Sequence, residues 1–247
     1  MGFEVNVEGP RRMFSILSES GEPVFSISES VVTGWLVILI ILVVCLILTK
    51  DLKKVPETKR QCAAEYIVKT VNNMVKVNMD NDSIGYAPYI AAVFAYIIVG
   101  TLISMIGFRS ITADISVTGG LAVMTFVLIT YTKIKSHGVG GYLKQFINPL
   151  NIISEVATPV AMALRLFGNV AGGMIITLIL YLALGAASGA LYNAMGIPPI
   201  QDVGYVFNIF QIGIPAVLSI YFDLFSGAIQ SYVFIMLTMA YIKMGKE

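Results

Sequence analysis

Two stretches of this chain are too apolar for water and too long for an upright membrane helix. Val156 to Gln201 carries one charge, Arg165, and Val203 to Ile242 carries one charge, Asp223. Three shorter uncharged runs precede them, 19 residues from Val31 to Thr49, 25 from Ile84 to Phe108 and 18 from Ile115 to Thr132. Each is near the roughly 20 apolar residues a helix needs to cross about 30 Å of hydrocarbon. Backbone groups in lipid must bond internally, and with little strand-like alternation these runs predict helices. Composition agrees, with 57% of residues apolar and 13% charged, against roughly a quarter charged in a soluble protein. It excludes a disordered chain, a basic nucleic-acid binder and an ordinary cytoplasmic enzyme.

Basic residues set the direction of the spans. Seven lie between Lys50 and Lys76, Lys133, Lys135 and Lys144 follow the third span, and Lys243 and Lys246 come at the end, twelve of the sixteen in all. Only Arg11, Arg12 and Arg109 fall on the opposite side. The positive-inside rule then predicts five crossings, with the N-terminus outside and the C-terminus in the cytoplasm. The first 30 residues have no signal-type apolar core and carry Glu4, Glu8, Glu19, Glu22 and Glu29, an acidic extracytoplasmic tail. Tyr66, Ile67, Val71, Met74 and Val75 share one helical face, so 57–80 reads as an amphipathic helix on the inner surface. The expected fold is an all-α membrane protein, a single domain over 1–247 without repeats. Its predicted spans are 31–49, 84–108, 115–134, 155–190 and 203–243.

The last two spans exceed the bilayer. About 35 helical residues from Glu155 extend roughly 50 Å, so the helix must tilt, bend or overrun. The final span is longer still, with Pro215 as a kink site. Strong tilt makes little sense against lipid alone but suits packing along a curved protein partner. Charges inside such spans default to function. Arg165 shares its register with Glu155, Thr158, Met162, Asn169, Gly172 and Thr177. The alternative is snorkelling, since a helix starting at Pro159 puts Arg165 only about 9 Å in. On the last helix Asn208, Gln211, Pro215, Ser219, Asp223, Ser226 and Gln230 follow at steps of 3 or 4. Such a stripe can join helices by hydrogen bonds, but a lone mid-span Asp needs water, a cation or a raised pKa. We therefore expect an aqueous path from the outer face, ending at or beyond Asp223. Gly168, Gly172 and Gly173 flatten the surface near Arg165, which permits close helix packing or approach of another chain's carboxylate.

The run Pro159-Val-Ala-Met-Ala-Leu-Arg165-Leu-Phe-Gly-Asn169 resembles the signature of subunit a of the bacterial rotary F-type ATP synthase. Ile229-Gln230-Ser-Tyr-Val-Phe-Ile-Met-Leu-Thr-Met-Ala-Tyr241 is similar to that family's last-helix signature. Weaker similarity covers Pro56 to Glu65, Gly85 to Pro88, Thr112 to Asp114 and Gly138 to Pro149. The resemblance implies a non-catalytic stator subunit that couples proton or sodium flow through two offset half-channels to rotation and ATP synthesis. Arg165 would separate the half-channels and meet the c-subunit carboxylate, Asn169 and Gln230 would line the path, and Gly168, Gly172 and Gly173 would pack on the c ring. Implied partners are the ring of c subunits, the peripheral-stalk b subunits and the rest of the complex in a bacterial cell membrane, with no cofactor, metal or nucleic acid. Many family members carry a glutamate nine residues after the arginine; here that position is Met174, and Asp223 is expected to supply the missing carboxylate.

Other functional classes fit less well. A secondary transporter with its own midplane substrate site usually shows inverted repeats or paired broken helices, which this sequence lacks. A membrane hydrolase finds no nucleophile elbow or metal spacing around His137, the only histidine. A voltage sensor needs several arginines in one helix.

Overall fold

The computed structural model describes residues 12–17, 23–50, 52–53, 58–104, 106, 108, 110–145, 148–196 and 221–246. Strands β1 (Arg12–Leu17) and β2 (Pro23–Ser28) pair antiparallel and lead directly into α1 (Glu29–Thr49). Then come α2 (Lys59–Asn78), a 3-10 turn (Asn81–Tyr86), α3 (Ala87–Ser104), a second 3-10 turn (Ile111–Ala113), α4 (Ile115–Gln145) and α5 (Pro149–Ala194). A π-helical turn (Tyr221–Ser226) opens onto α6 (Gly227–Met244). Among the described residues five helical segments are long and apolar enough to cross a membrane, so the protein is an all-α, multi-pass membrane protein. The hairpin adds a short strand pair to the N-terminal tail, a feature charge and hydropathy do not register.

Several boundaries differ from expectation for identifiable reasons. Helix α5 starts at Pro149, not near 155, because Asn148 accepts a hydrogen bond from the Leu150 N–H at 3.1 Å and Pro149 fits the first helical position. It runs on for 46 residues, through Pro159, about 69 Å at the usual rise. Past its end Gly196 takes a φ of 72°, the left-handed conformation that closes many helices. Helix α4 outruns its expected end at 134, and Gly138 breaks it with φ at 71°, a conformation glycine adopts without steric cost. The kink expected at Pro215 lies outside the described residues.

One core joins five helices. Ile90, Val93 and Ile97 of α3 meet Ala122 and Ile129 of α4, Met162 and Leu166 of α5, and Phe234, Ile235, Met239 and Ile242 of α6. Val75 of α2 joins it from the end, with Val71 and Met74 packed alongside. Tyr66 and Ile67, expected on the same face, are instead exposed, so the bundle uses only the second half of the amphipathic stripe. Helix α1 attaches to α3 through a smaller cluster of Val37, Ile103 and Ile111, and leaves Trp35, Leu39 and Leu46 exposed. Lys246 fastens the end of the chain by donating to Ser83 Oγ at 2.8 Å above the Tyr86 ring. This core positions α5 and α6 side by side.

A candidate ion-translocation site on α5 and α6

Helix α5 divides its residues by side. Met162 and Leu166 are buried in the shared core, while Ala161, Leu164, Arg165 and Gly168 are exposed. Arg165 thus turns away from Met162, with which the sequence register had grouped it. With the helix starting at Pro149, Arg165 lies sixteen residues from its N-terminal end, about 24 Å along the axis. Among the described residues no hydrogen bond or ion pair reaches its guanidinium.

Next to it, a polar clasp ties α5 to Ser226, the residue before α6. Ser226 Oγ donates to Asn169 Oδ1 at 2.8 Å, and Asn169 Nδ2 donates to the Ser226 backbone oxygen at 3.3 Å. A reciprocal pair satisfies both groups, which lipid would otherwise leave without partners. Ser226 closes the π-helical turn that holds Asp223, and Gln230 follows one turn later, half-buried. The structure therefore brings together Arg165, Asn169, Ser226 and the start of α6. Asn208, Gln211 and Ser219 lie outside the described residues, and so does the side chain of Asp223.

The small residues near Arg165 are open. A Cβ built on Gly168 or Gly172 meets nothing within 4 Å, whereas Gly173 is buried. Close packing within this chain does not require the first two to be glycine. Met174, where many family members hold glutamate, is also exposed.

Glu155 belongs to a separate cluster nearer the α5 N-terminus. Lys133 Nζ stands 2.6 Å from Glu155 Oε2, and the Tyr142 hydroxyl donates to Oε1 at 3.2 Å. Phe126, Ser154, Thr158 and Tyr241 line a cavity of about 80 Å³ beside the pair, room for a few waters. Pro159 has no N–H to return to the Glu155 carbonyl, so this turn also carries a free backbone acceptor. Helical register puts Glu155 on the Arg165 face, but Lys133 draws it toward α4.

One buried carboxylate outside the expected site residues caps a helix. Asp114 is 8% exposed, accepts from the Ser116 N–H at 2.9 Å and from Ser28 Oγ at 3.3 Å, and so caps α4. The signal was present, an Asp two residues before Ser116 at the head of an apolar run.

Comparison with known proteins gives a consistent result. The family model described as the ATP synthase A chain matches residues 31–243. A sodium-ion-specific ATP synthase subunit a from Propionigenium modestum is 31% identical, over 96% of this chain and 85% of the relative. The ATP synthase subunit a of Desulforamulus reducens is also 31% identical, over 87% of this chain and 78% of the relative. That of Geobacter sulfurreducens is 33% identical, over 67% and 73%. With the family model covering all five spans, this chain belongs to the ATP synthase A chain family, the membrane-embedded subunit a of ATP synthase.

Proposed function

We propose that this chain is the ion-conducting stator of its complex, without catalytic activity of its own. Arg165 separates two offset aqueous half-channels and receives the carboxylate of each passing c subunit. Arg165 itself carries this reading. It is a fixed positive charge deep in an apolar helix, exposed and unpaired among the described residues, beside two glycines its own chain does not need. A charge left without a partner in a membrane is costly unless a counter-charge or water arrives from outside. A c-subunit carboxylate supplies that counter-charge, and Gly168 and Gly172 let it come close.

The remaining roles follow from position. Asn169, Ser226 and Gln230 line the path between the half-channels, and Asp223 supplies the carboxylate that Met174 lacks, with Asn208, Gln211 and Ser219 leading in from outside. The Lys133–Glu155 pair and its cavity fit a polar mouth on the inner side. The N-terminus is extracytoplasmic, the C-terminus cytoplasmic, and the b subunits of the peripheral stalk hold this chain against the c ring in the bacterial cell membrane. The carboxylate site of the c subunit decides between proton and sodium. Each charge crossing 100 mV supplies about 2.3 kcal/mol, so a leak past Arg165 wastes the gradient directly.

ATP-driven ion pumping by the assembled enzyme in vesicles tests the reading. Arg165→Ala abolishes pumping while the complex still assembles; intact pumping overturns the mechanism. Asp223→Asn lowers coupled pumping, and a normal rate in that variant removes Asp223 from the path.

A further inference from the structure

Lys69, Asn72, Asn73 and Lys76 recur on α2 at the spacing of one helical face. That face borders a groove of about 460 Å³, across which stand Thr49 and Leu52 at the end of α1. Its volume is that of a small-ligand site, which runs roughly 300–1,000 Å³. Among the described residues, no hydrogen bond or ion pair reaches either lysine or either asparagine. Glu65 also borders the groove, but its carboxylate already accepts from the Gln61 amide at 2.9 Å. Two ammonium groups against one engaged carboxylate leave the groove positive.

The depth of the groove narrows its occupant. Helix α1 stops at Thr49, so the lysines sit where hydrocarbon gives way to water. The last turn of α1 exposes Leu46 and Ile47, an apolar wall leading to Thr49, which borders the groove. A lysine pair with amides beside it matches a phosphodiester and neighbouring hydroxyls, and the wall matches acyl chains. A protein partner would have to present both chemistries at one membrane surface, whereas a phospholipid carries both in one molecule.

We propose that this groove holds one anionic phospholipid. Its phosphodiester lies between Lys69 and Lys76, its polar headgroup on Asn72 and Asn73, and its acyl chains along α1. The site is independent of ion translocation and anchors α2 to the end of α1.

The test uses the whole ATP synthase complex in phosphatidylcholine vesicles doped with photoactivatable phosphatidylglycerol or, separately, photoactivatable phosphatidylcholine at the same mole fraction. Labelling between residues 61 and 76 is mapped by mass spectrometry. Phosphatidylglycerol labels this segment about 25-fold more than phosphatidylcholine, and each lysine accounts for about fivefold. Lys69→Gln with Lys76→Gln brings the ratio near one, while Lys135→Gln with Lys144→Gln leaves it unchanged. Equal labelling by both probes in the wild-type complex overturns the proposal, and that comparison decides alone if the double variant does not assemble. An unchanged ratio in Lys69→Gln/Lys76→Gln overturns it too, as does labelling blocked by a neighbouring subunit seated in the groove.

Discussion

Two pairs of glycines show how differently two regions of this membrane protein are built. On α3, a Cβ at Gly100 would press into Ile111, and at the head of α6 a Cβ at Gly227 would press into Thr101. On α5, a Cβ at Gly168 or Gly172 would meet open space. The helices around them follow suit. Seven of the 18 residues of α3 are buried, while α5, with 46 residues, leaves most of its apolar side chains exposed or half-exposed. Small residues in a membrane allow close approach. At Gly100 and Gly227 the packing of this chain on itself requires it; at Gly168 and Gly172 it does not.

That contrast can be broken in order of effect. Gly227→Val should cost about 1–3 kcal/mol through overpacking against Thr101, read as easier unfolding of the purified subunit in mixed SDS–detergent micelles. No loss there would mean the α3–α6 contact is loose and the comparison is empty. Next, a double-mutant cycle with Asn169→Leu and Ser226→Ala should give a coupling of about 0.5–1.5 kcal/mol for the clasp between α5 and α6. A coupling near zero would make the two helices independent at that level. The smallest change in stability is expected at Gly168→Ala, within about 1 kcal/mol of wild type and on the stabilising side, since alanine suits a helix better. Coupled pumping should nevertheless fall about fivefold, because a methyl at the proposed c-ring interface costs about 1 kcal/mol or more. A Gly168→Ala subunit that unfolds as readily as Gly227→Val would erase the distinction.

The spans were legible because lipid imposes a single rule on them, absence of charge over a fixed length. The same rule exposed Arg165, whose charge interrupts an apolar run and needs no neighbour to be noticed. What escaped depends on distant partners or on local backbone chemistry that hydropathy does not register. The start of α5 was written in Asn148 and Pro149, yet attention to charge placed it at Glu155. Pro159 lies inside both the expected span and α5, and Thr158 on the adjacent turn returns its hydroxyl to the Ser154 carbonyl at 2.8 Å. The pairing of Glu155 with Lys133 joins residues 22 apart in sequence, and only the packing of α4 on α5 reveals it. Tyr66 and Ile67 fit the amphipathic stripe of α2 and still miss the bundle, because periodicity says which way a side chain points but not how far the neighbour extends.

The π-helical turn from Tyr221 to Ser226 alters what a helical wheel says about α6. At 100° per residue, helix positions seven apart fall within about 20° of one another. A π turn holds about one residue more than an α turn, so backbone positions before and after it lose that register. Residues on the two sides of the turn therefore follow a winding line along the helix rather than a straight one.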